Sequence, residues 1–151
     1  MKLHRFLYGN LAPWLVLALS VNSAIAGTPG PCSDTTGTRC VSGRVCTIKV
    51  SEAAGATTVD NPAVEVKSGT RIEWSTTSGS FTVTFRAPHP FPNTPSGKFY
   101  GAPGHNPGDK ATITHTSPSV CYQYSVEHCN GSGVCATIDP KVIVTNVRDG
   151  H

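Results

Sequence analysis

Charged residues are scarce in this chain of 151 residues, at 14% of the total, and aromatic residues reach only 7%. Such a low charged fraction excludes a charge-driven disordered protein and a coiled coil. After residue 26, no apolar period near 3.6 persists over ten residues, which disfavours a helical fold. The length fits one domain and disfavours a two-domain enzyme. What remains abundant is glycine and proline, with 15 and 12 residues, as expected of a fold with many turns.

The one long apolar segment lies at the start of the chain. A basic beginning with Lys2 and Arg5 precedes an apolar stretch over residues 11–19, and Ala24-Ile25-Ala26 matches a small-x-small cleavage pattern. A membrane anchor is the alternative, but a span needs about 20 consecutive apolar residues. The sequence therefore predicts a signal peptide over residues 1–26 and a periplasmic or secreted protein.

The predicted mature domain is almost uncharged. Its formal net charge falls from +3 to +1 on cleavage, because the signal segment contains Lys2 and Arg5 and no acidic residue. A nearly neutral domain lacks the electrostatic footprint of a nucleic-acid-binding protein. No second apolar run suggests a membrane span once the signal is removed. The expected partner is therefore a protein, a glycan or a small ligand.

Six cysteines follow the signal segment, and an even number in an exported chain predicts three disulfides. Fifteen connectivities are possible, and the absence of any C-x2-C pair disfavours a structural zinc site. Cys129 and Cys135 flank an Asn130-Gly131 turn signal, so we expect a disulfide between them. Residues 27–44 read as an irregular segment held by disulfides. The cysteines are Cys32, Cys40, Cys46, Cys121, Cys129 and Cys135.

From residue 45 onward, short β-type runs alternate with turn signals. In the clearest run, Phe81, Val83 and Phe85 share one side and hydroxyl residues take the other. The pattern predicts an all-β antiparallel sandwich or barrel of about seven or eight strands over residues 45–146, followed by a tail at 147–151. The predicted strands are 46–50, 63–66, 71–74, 80–85, 111–115, 121–126, 134–138 and 141–145.

Residues 87–109 break this pattern with six prolines and four glycines. Loops longer than about 12–15 residues are usually functional or disordered. The aromatic residues of this segment can pack onto the core or form a recognition surface, and both alternatives remain open. The candidate binding residues are His89, Phe91, Phe99, Tyr100 and His105.

Four stretches resemble a known family. Residues 69–74 (Gly-Thr-Arg-Ile-Glu-Trp) and 81–85 (Phe-Thr-Val-Thr-Phe) are similar to the G-x-x-V-x-W and H-x-V-x-F core of cupredoxins. Residues 122–126 and 138–144 are similar to the last two strands of that family. The chain also resembles small exported bacterial domains of cupredoxin type. This resemblance covers about residues 45–146 and implies a Greek-key β-sandwich.

The copper site of the family does not carry over to this sequence. A type-1 copper centre needs two histidines, a cysteine thiolate and a weak axial ligand, commonly methionine. By the resemblance, Phe81 stands at the first histidine and Val126 at the cysteine, and the only methionine is Met1. We therefore expect no cofactor. The alternative is copper bound elsewhere, in a metal-handling protein that uses His89, His105, His128 and Cys129.

No catalytic motif accompanies the fold prediction. The sequence has no G-x-S-x-G nucleophile elbow, and its histidines form no H-x-H or H-E-x2-H metal motif. Glu127 and His128 are neighbours in a predicted strand, so they should point to opposite faces. The sequence thus predicts a non-catalytic module that binds its partner through the end of the sandwich that carries residues 87–109.

Overall fold

The computed structural model describes residues 37–40, 45–112 and 119–146. Eleven strands lie within these residues and form two sheets. Segments 1–26 and 147–151, predicted as signal peptide and tail, lie outside the described residues, as does most of 27–44. The strands are β1 (Thr38–Arg39), β2 (Val45–Ala53), β3 (Ala56–Val59), β4 (Ala63–Lys67), β5 (Arg71–Ser75), β6 (Ser80–Phe85), β7 (Lys98–Gly101), β8 (Gly108–Lys110), β9 (Ser119–Cys129), β10 (Cys135–Ile138) and β11 (Lys141–Thr145).

The larger sheet has the order β1-β4-β11-β9-β6-β7, with β10 also paired to β9, and the smaller sheet has the order β3-β2-β5-β8. The predicted all-β fold is confirmed, and its two open sheets fit a sandwich rather than a closed barrel. The sheets are mixed, whereas the sequence predicted an antiparallel fold. Three strand pairs are parallel: β2 with β5, β4 with β1, and β4 with β11. Between β2 and β5 the chain passes through β4 of the other sheet, and such a crossover lets two strands run in the same direction.

Alternating side chains build the core between the two sheets. Strand β6 alternates fully, with Phe81, Val83 and Phe85 buried and the hydroxyl residues between them turned outward. Trp74 of β5, which is 0% exposed, sits at the centre of an aromatic cluster. Its ring centroid lies 4.9 Å from that of Phe99, and the Phe85 and Tyr124 rings stack 4.6 Å apart. Aromatic pairs of this kind add about 0.5–1.5 kcal/mol each beyond the area they bury.

The predicted long loop over residues 87–109 contains β7 and the beginning of β8, so the prediction that the whole segment is a loop is corrected. Strand β7 pairs with β6 so that Gly101 faces Phe81, and a side chain at position 101 would collide with the Phe81 ring. The sequence pattern also missed β1 and β3, which have four residues or fewer. Of the predicted strand 111–115, residues 111–112 are not in a strand and the others lie outside the described residues.

Disulfides cross-link the described part of the chain. The expected Cys129–Cys135 pairing is confirmed, and Cys40 pairs with Cys46. Cys121 is disulfide-bonded as well, while Cys32 lies outside the described residues. Disulfides of this kind are typical of proteins in an oxidising, extracellular-type compartment. Among the described residues there is no helix with the length and apolarity needed to cross a membrane.

Candidate recognition surface

The three aromatic residues of segment 87–109 divide between core and surface. Phe91 is 0% exposed and Phe99 is 5% exposed, and both contact the Trp74 ring edge or face. Tyr100, which follows Phe99 in β7, points to the opposite face of the sheet and is 61% exposed. Of the predicted aromatic contact residues, Tyr100 alone therefore offers its ring to a partner.

The structure separates the two histidines of this segment. His89 lies beside Gly97, just before β7, and its Nε2 is 3.4 Å from the Pro95 carbonyl oxygen. His105 lies beyond the other end of β7, where its backbone N–H donates to the carbonyl of Ala102 at 2.9 Å. The four residues of β7 span roughly 13 Å at about 3.3 Å per residue. His89 and His105 therefore lie at opposite ends of the strand and do not form one site.

Asp109 holds the first half of the segment in place, a role that its position in the sequence did not reveal. The residue is buried in β8, and its carboxylate accepts hydrogen bonds from Thr94 Oγ1 at 3.0 Å and Asn93 Nδ2 at 3.2 Å. The Lys110 backbone N–H donates to the same carboxylate at 2.7 Å. Three donors offset the cost of burying a carboxylate. Because this contact crosses 15 residues of chain, only the tertiary structure shows it.

The outward side chains of four neighbouring strands form one surface, with Tyr100 on its edge strand, β7. Tyr100 of β7 pairs with Thr82 of β6, Thr82 with Glu127 of β9, and Glu127 with Thr137 of β10, so these four side chains form one cross-strand row. Directly paired residues in such a row lie about 4.5–5.5 Å apart. We call this surface the Tyr100 face; it consists of Ser80, Thr82, Thr84, Lys98, Tyr100, Ser125, Glu127 and Thr137.

The Tyr100 face carries hydroxyl groups, one aromatic ring, one ammonium and one carboxylate. The alternation of β6 already indicated its hydroxyl residues, but the sequence did not show that β7 brings Tyr100 beside them. His105 lies next to the face, in a turn at the end of β7 where Gly104 has a φ of 78°. That conformation favours glycine, so Pro103-Gly104 is suited to this turn. The face can therefore offer hydrogen-bond donors, hydrogen-bond acceptors and an aromatic ring for stacking. Its two charged groups are of opposite sign.

The residues of the predicted alternative metal site do not assemble. His128 is 2% exposed, and its Nε2 lies 2.9 Å from the Ser78 carbonyl oxygen, so the ring nitrogen already has a backbone partner. Cys129 is in a disulfide and has no thiolate to offer. Within residues 37–40, 45–112 and 119–146, no three His, Cys, Asp or Glu residues are grouped as metal ligands. Glu127 is exposed while His128 is buried, which confirms that they point to opposite faces.

The residues at the expected type-1 copper positions do not fit a copper ion. Phe81 is 3% exposed and Val126 is 0% exposed, and both belong to the apolar core. Neither side chain has an atom that can ligate a metal.

Two polar atoms buried in the aromatic cluster have no partner within hydrogen-bond geometry among the described residues, the Trp74 Nε1 and the Tyr124 hydroxyl. Burial raises the pKa of the Tyr124 phenol above its ordinary value, because the charged form is poorly solvated there. The nearby indole N–H of Trp74 opposes this shift and the carboxylate of Asp60 adds to it. At neutral pH the phenol is therefore protonated and serves as part of the core.

Comparison with known proteins does not assign the chain to a family. No model of a protein family matches the sequence, and no curated protein matches it significantly. A functional proposal therefore depends on the chemistry of the side chains that the fold brings together.

Proposed function

We propose that this protein is an exported, non-catalytic glycan-binding module, related to the cupredoxins but without their copper site. The observation that carries the proposal is the Tyr100 face, where an exposed aromatic ring lies among hydroxyl groups on an ordered sheet. The relationship is supported by the four stretches of sequence similarity and by the two-sheet sandwich. The absence of a type-1 copper centre is supported by the apolar Phe81 and Val126 at the ligand positions.

A neutral glycan matches the chemistry of this face. The C–H groups of a sugar ring can stack on the exposed Tyr100 ring, since an aromatic ring is apolar yet carries a negative electrostatic face. The hydroxyls of Thr82 and Thr137 and the carboxylate of Glu127 lie in the same row and can exchange hydrogen bonds with sugar hydroxyls. The opposite charges of Lys98 and Glu127 leave the face nearly neutral, which suits an uncharged ligand.

A protein partner fits the surface less well. Stable protein interfaces bury about 800 Å² on each side and concentrate aromatic and apolar residues at their centre. Among the described residues, the exposed large apolar side chains are Val45, Tyr100 and Val134. Of these, only Tyr100 belongs to the Tyr100 face. A surface with one exposed aromatic side chain and many hydroxyls is better matched to a small polar ligand such as an oligosaccharide.

Affinity electrophoresis tests the proposal directly. The protein is run through gels that contain neutral soluble polysaccharides, namely a β-glucan, a xylan, a mannan and a galactan. We expect at least one of them to retard the protein, and we expect Tyr100→Ala to weaken that retardation by at least about tenfold, or about 1.4 kcal/mol. Tyr100→Phe retains the ring and should retain most of the binding.

The control variant is Val134→Ala, because Val134 is 62% exposed, close to the 61% of Tyr100, but lies outside the Tyr100 face. It should bind like the unaltered protein. If none of the four polysaccharides retards the protein, the glycan assignment is wrong. If a polysaccharide does so and Tyr100→Ala binds equally well, the ligand class stands and the Tyr100 face is not the site.

A further inference from the structure

The described cysteines differ sharply in exposure. Cys135 is exposed and its partner Cys129 is half-buried, whereas Cys46 is buried in the core and its partner Cys40 is half-buried. Attack on a disulfide requires that a thiolate reach a sulfur atom, so access decides which disulfide reacts. The Cys129–Cys135 disulfide is the accessible one of these two pairs.

The hairpin that this disulfide closes is also held by other contacts. The Asn130 backbone N–H donates to the Val134 carbonyl at 2.9 Å, and the Asn130 Oδ1 accepts from the backbone N–H groups of Ser132 and Val134 at 3.0 and 3.1 Å. Strands β9 and β10 pair directly behind it, from Cys129–Cys135 to Val126–Ile138. The hydrogen-bonded hairpin can therefore keep the two cysteines adjacent when the S–S bond is broken.

The Cys40–Cys46 disulfide has a different role in the fold. Cys40 follows β1 of the larger sheet, and its backbone N–H donates to the Glu65 carbonyl of β4. Cys46 lies in β2 of the smaller sheet, so this disulfide joins the two sheets across the core. The burial of Cys46 protects this disulfide from attack by a thiolate, and its position between the two sheets makes it structural.

We infer that Cys129–Cys135 is a thiol–disulfide exchange site, whose reaction partner is a dithiol of the compartment. A thiolate of the dithiol attacks the sulfur of the exposed Cys135, the S–S bond breaks, and Cys129 leaves as a thiolate that takes up a proton. The second thiolate of the dithiol then attacks the mixed disulfide and releases Cys135. The dithiol is oxidised to its disulfide, and the protein is reduced to two thiols that lie directly opposite each other in register.

The test uses the folded protein and dithiothreitol as the dithiol, without denaturant. Samples are quenched with an alkylating reagent over time, and mass spectrometry of peptides reports which cysteines are labelled. We expect Cys129 and Cys135 to be labelled at least about tenfold faster than Cys40 and Cys46, while Trp74 fluorescence stays that of the folded protein. Removal of the dithiol under air should restore the original disulfide.

A variant with Cys129→Ser and Cys135→Ser provides the control, and it should fold and lose the fast labelling phase. If it fails to fold, the labelling rates of the unaltered protein still decide the question. Labelling of Cys46 as fast as Cys135 would overturn the inference. So would labelling of Cys129 and Cys135 that occurs only together with unfolding, because the disulfide would then be structural.

Discussion

Replacing Gly101 by alanine tests how β7, the strand that presents Tyr100, is joined to the sheet. A methyl group at this position would overlap three carbons of the Phe81 ring, Cζ, Cε1 and Cε2, of which the most distant is only 2.8 Å away. Phe81 is 3% exposed and lies in the core, so its ring has little room to move. Either the ring leaves its rotamer or β7 moves away from β6.

Overpacking of this kind costs about 1–3 kcal/mol. The lower chain entropy of alanine in the unfolded state offsets about 0.4–1 kcal/mol of that cost. We therefore expect Gly101→Ala to lower the free energy of unfolding by about 1–2 kcal/mol, which corresponds to a fall in Tm of roughly 5–10 °C. Urea unfolding followed by the fluorescence of Trp74 measures the change, since Trp74 is the single tryptophan beyond residue 26.

Gly131→Ala is the matched control, because a methyl group there meets nothing within 4 Å and should change stability by less than about 0.5 kcal/mol. A second variant, Phe81→Leu, removes the ring carbons that the methyl would overlap. Combined with Gly101→Ala, it should cost less than the sum of the two single changes. A Gly101→Ala protein as stable as the unaltered one, or strictly additive costs, would refute the account of β7.

Two further predictions concern buried polar groups. Tyr124→Phe removes a hydroxyl that has no partner within hydrogen-bond geometry in the described part of the chain, so urea unfolding near neutral pH should show equal stability or a gain of about 1 kcal/mol. Burial raises the pKa of the Tyr124 and Tyr122 phenols, so the unfolded chain loses these protons at a lower pH than the folded protein does. The free energy of unfolding should therefore fall as the pH rises above about 10, and it should fall less steeply in Tyr124→Phe. An identical slope at alkaline pH in the two proteins would contradict this. Asp109→Ala should cost about 1–3 kcal/mol and speed amide exchange around Thr94, because the side chains of Thr94 and Asn93 lose the buried carboxylate that accepts their hydrogen bonds. The exposed Asp139→Ala is its control, and equal effects in the two variants would show that the buried contact is not the cause.

Much of the strand pattern could be predicted from the sequence because burial in a sandwich repeats every second residue. The alternation of Phe81, Val83 and Phe85 identified β6 and its buried side, and the turn signal at Asn130-Gly131 identified the neighbouring disulfide. Such signals are local, so a single strand or hairpin is sufficient to express them. The parallel pairings between β4 and β11 left no local signal, since they depend on how the chain crosses between sheets.

The arrangement of the candidate site could not be predicted from local sequence patterns. Phe91, Phe99 and Tyr100 are chemically similar and lie within ten residues, and the sequence could not distinguish core from surface among them. The pairing of β7 with β6 buries Phe99, turns Tyr100 outward and separates His89 from His105. In this pairing Gly101 lies opposite the Phe81 ring, although the two residues are 20 positions apart in the chain.

Composition, periodicity and the cysteine positions were thus sufficient to predict a small cross-linked β-protein with an apolar interior. Those properties depend on residue type and on near neighbours in the chain. Which side chains reach solvent together, and which disulfide a thiolate can approach, was decided by packing between distant segments. Such contacts depend on many weak interactions between residues that are far apart in the chain. They can therefore be identified only once the packing of the two sheets is known.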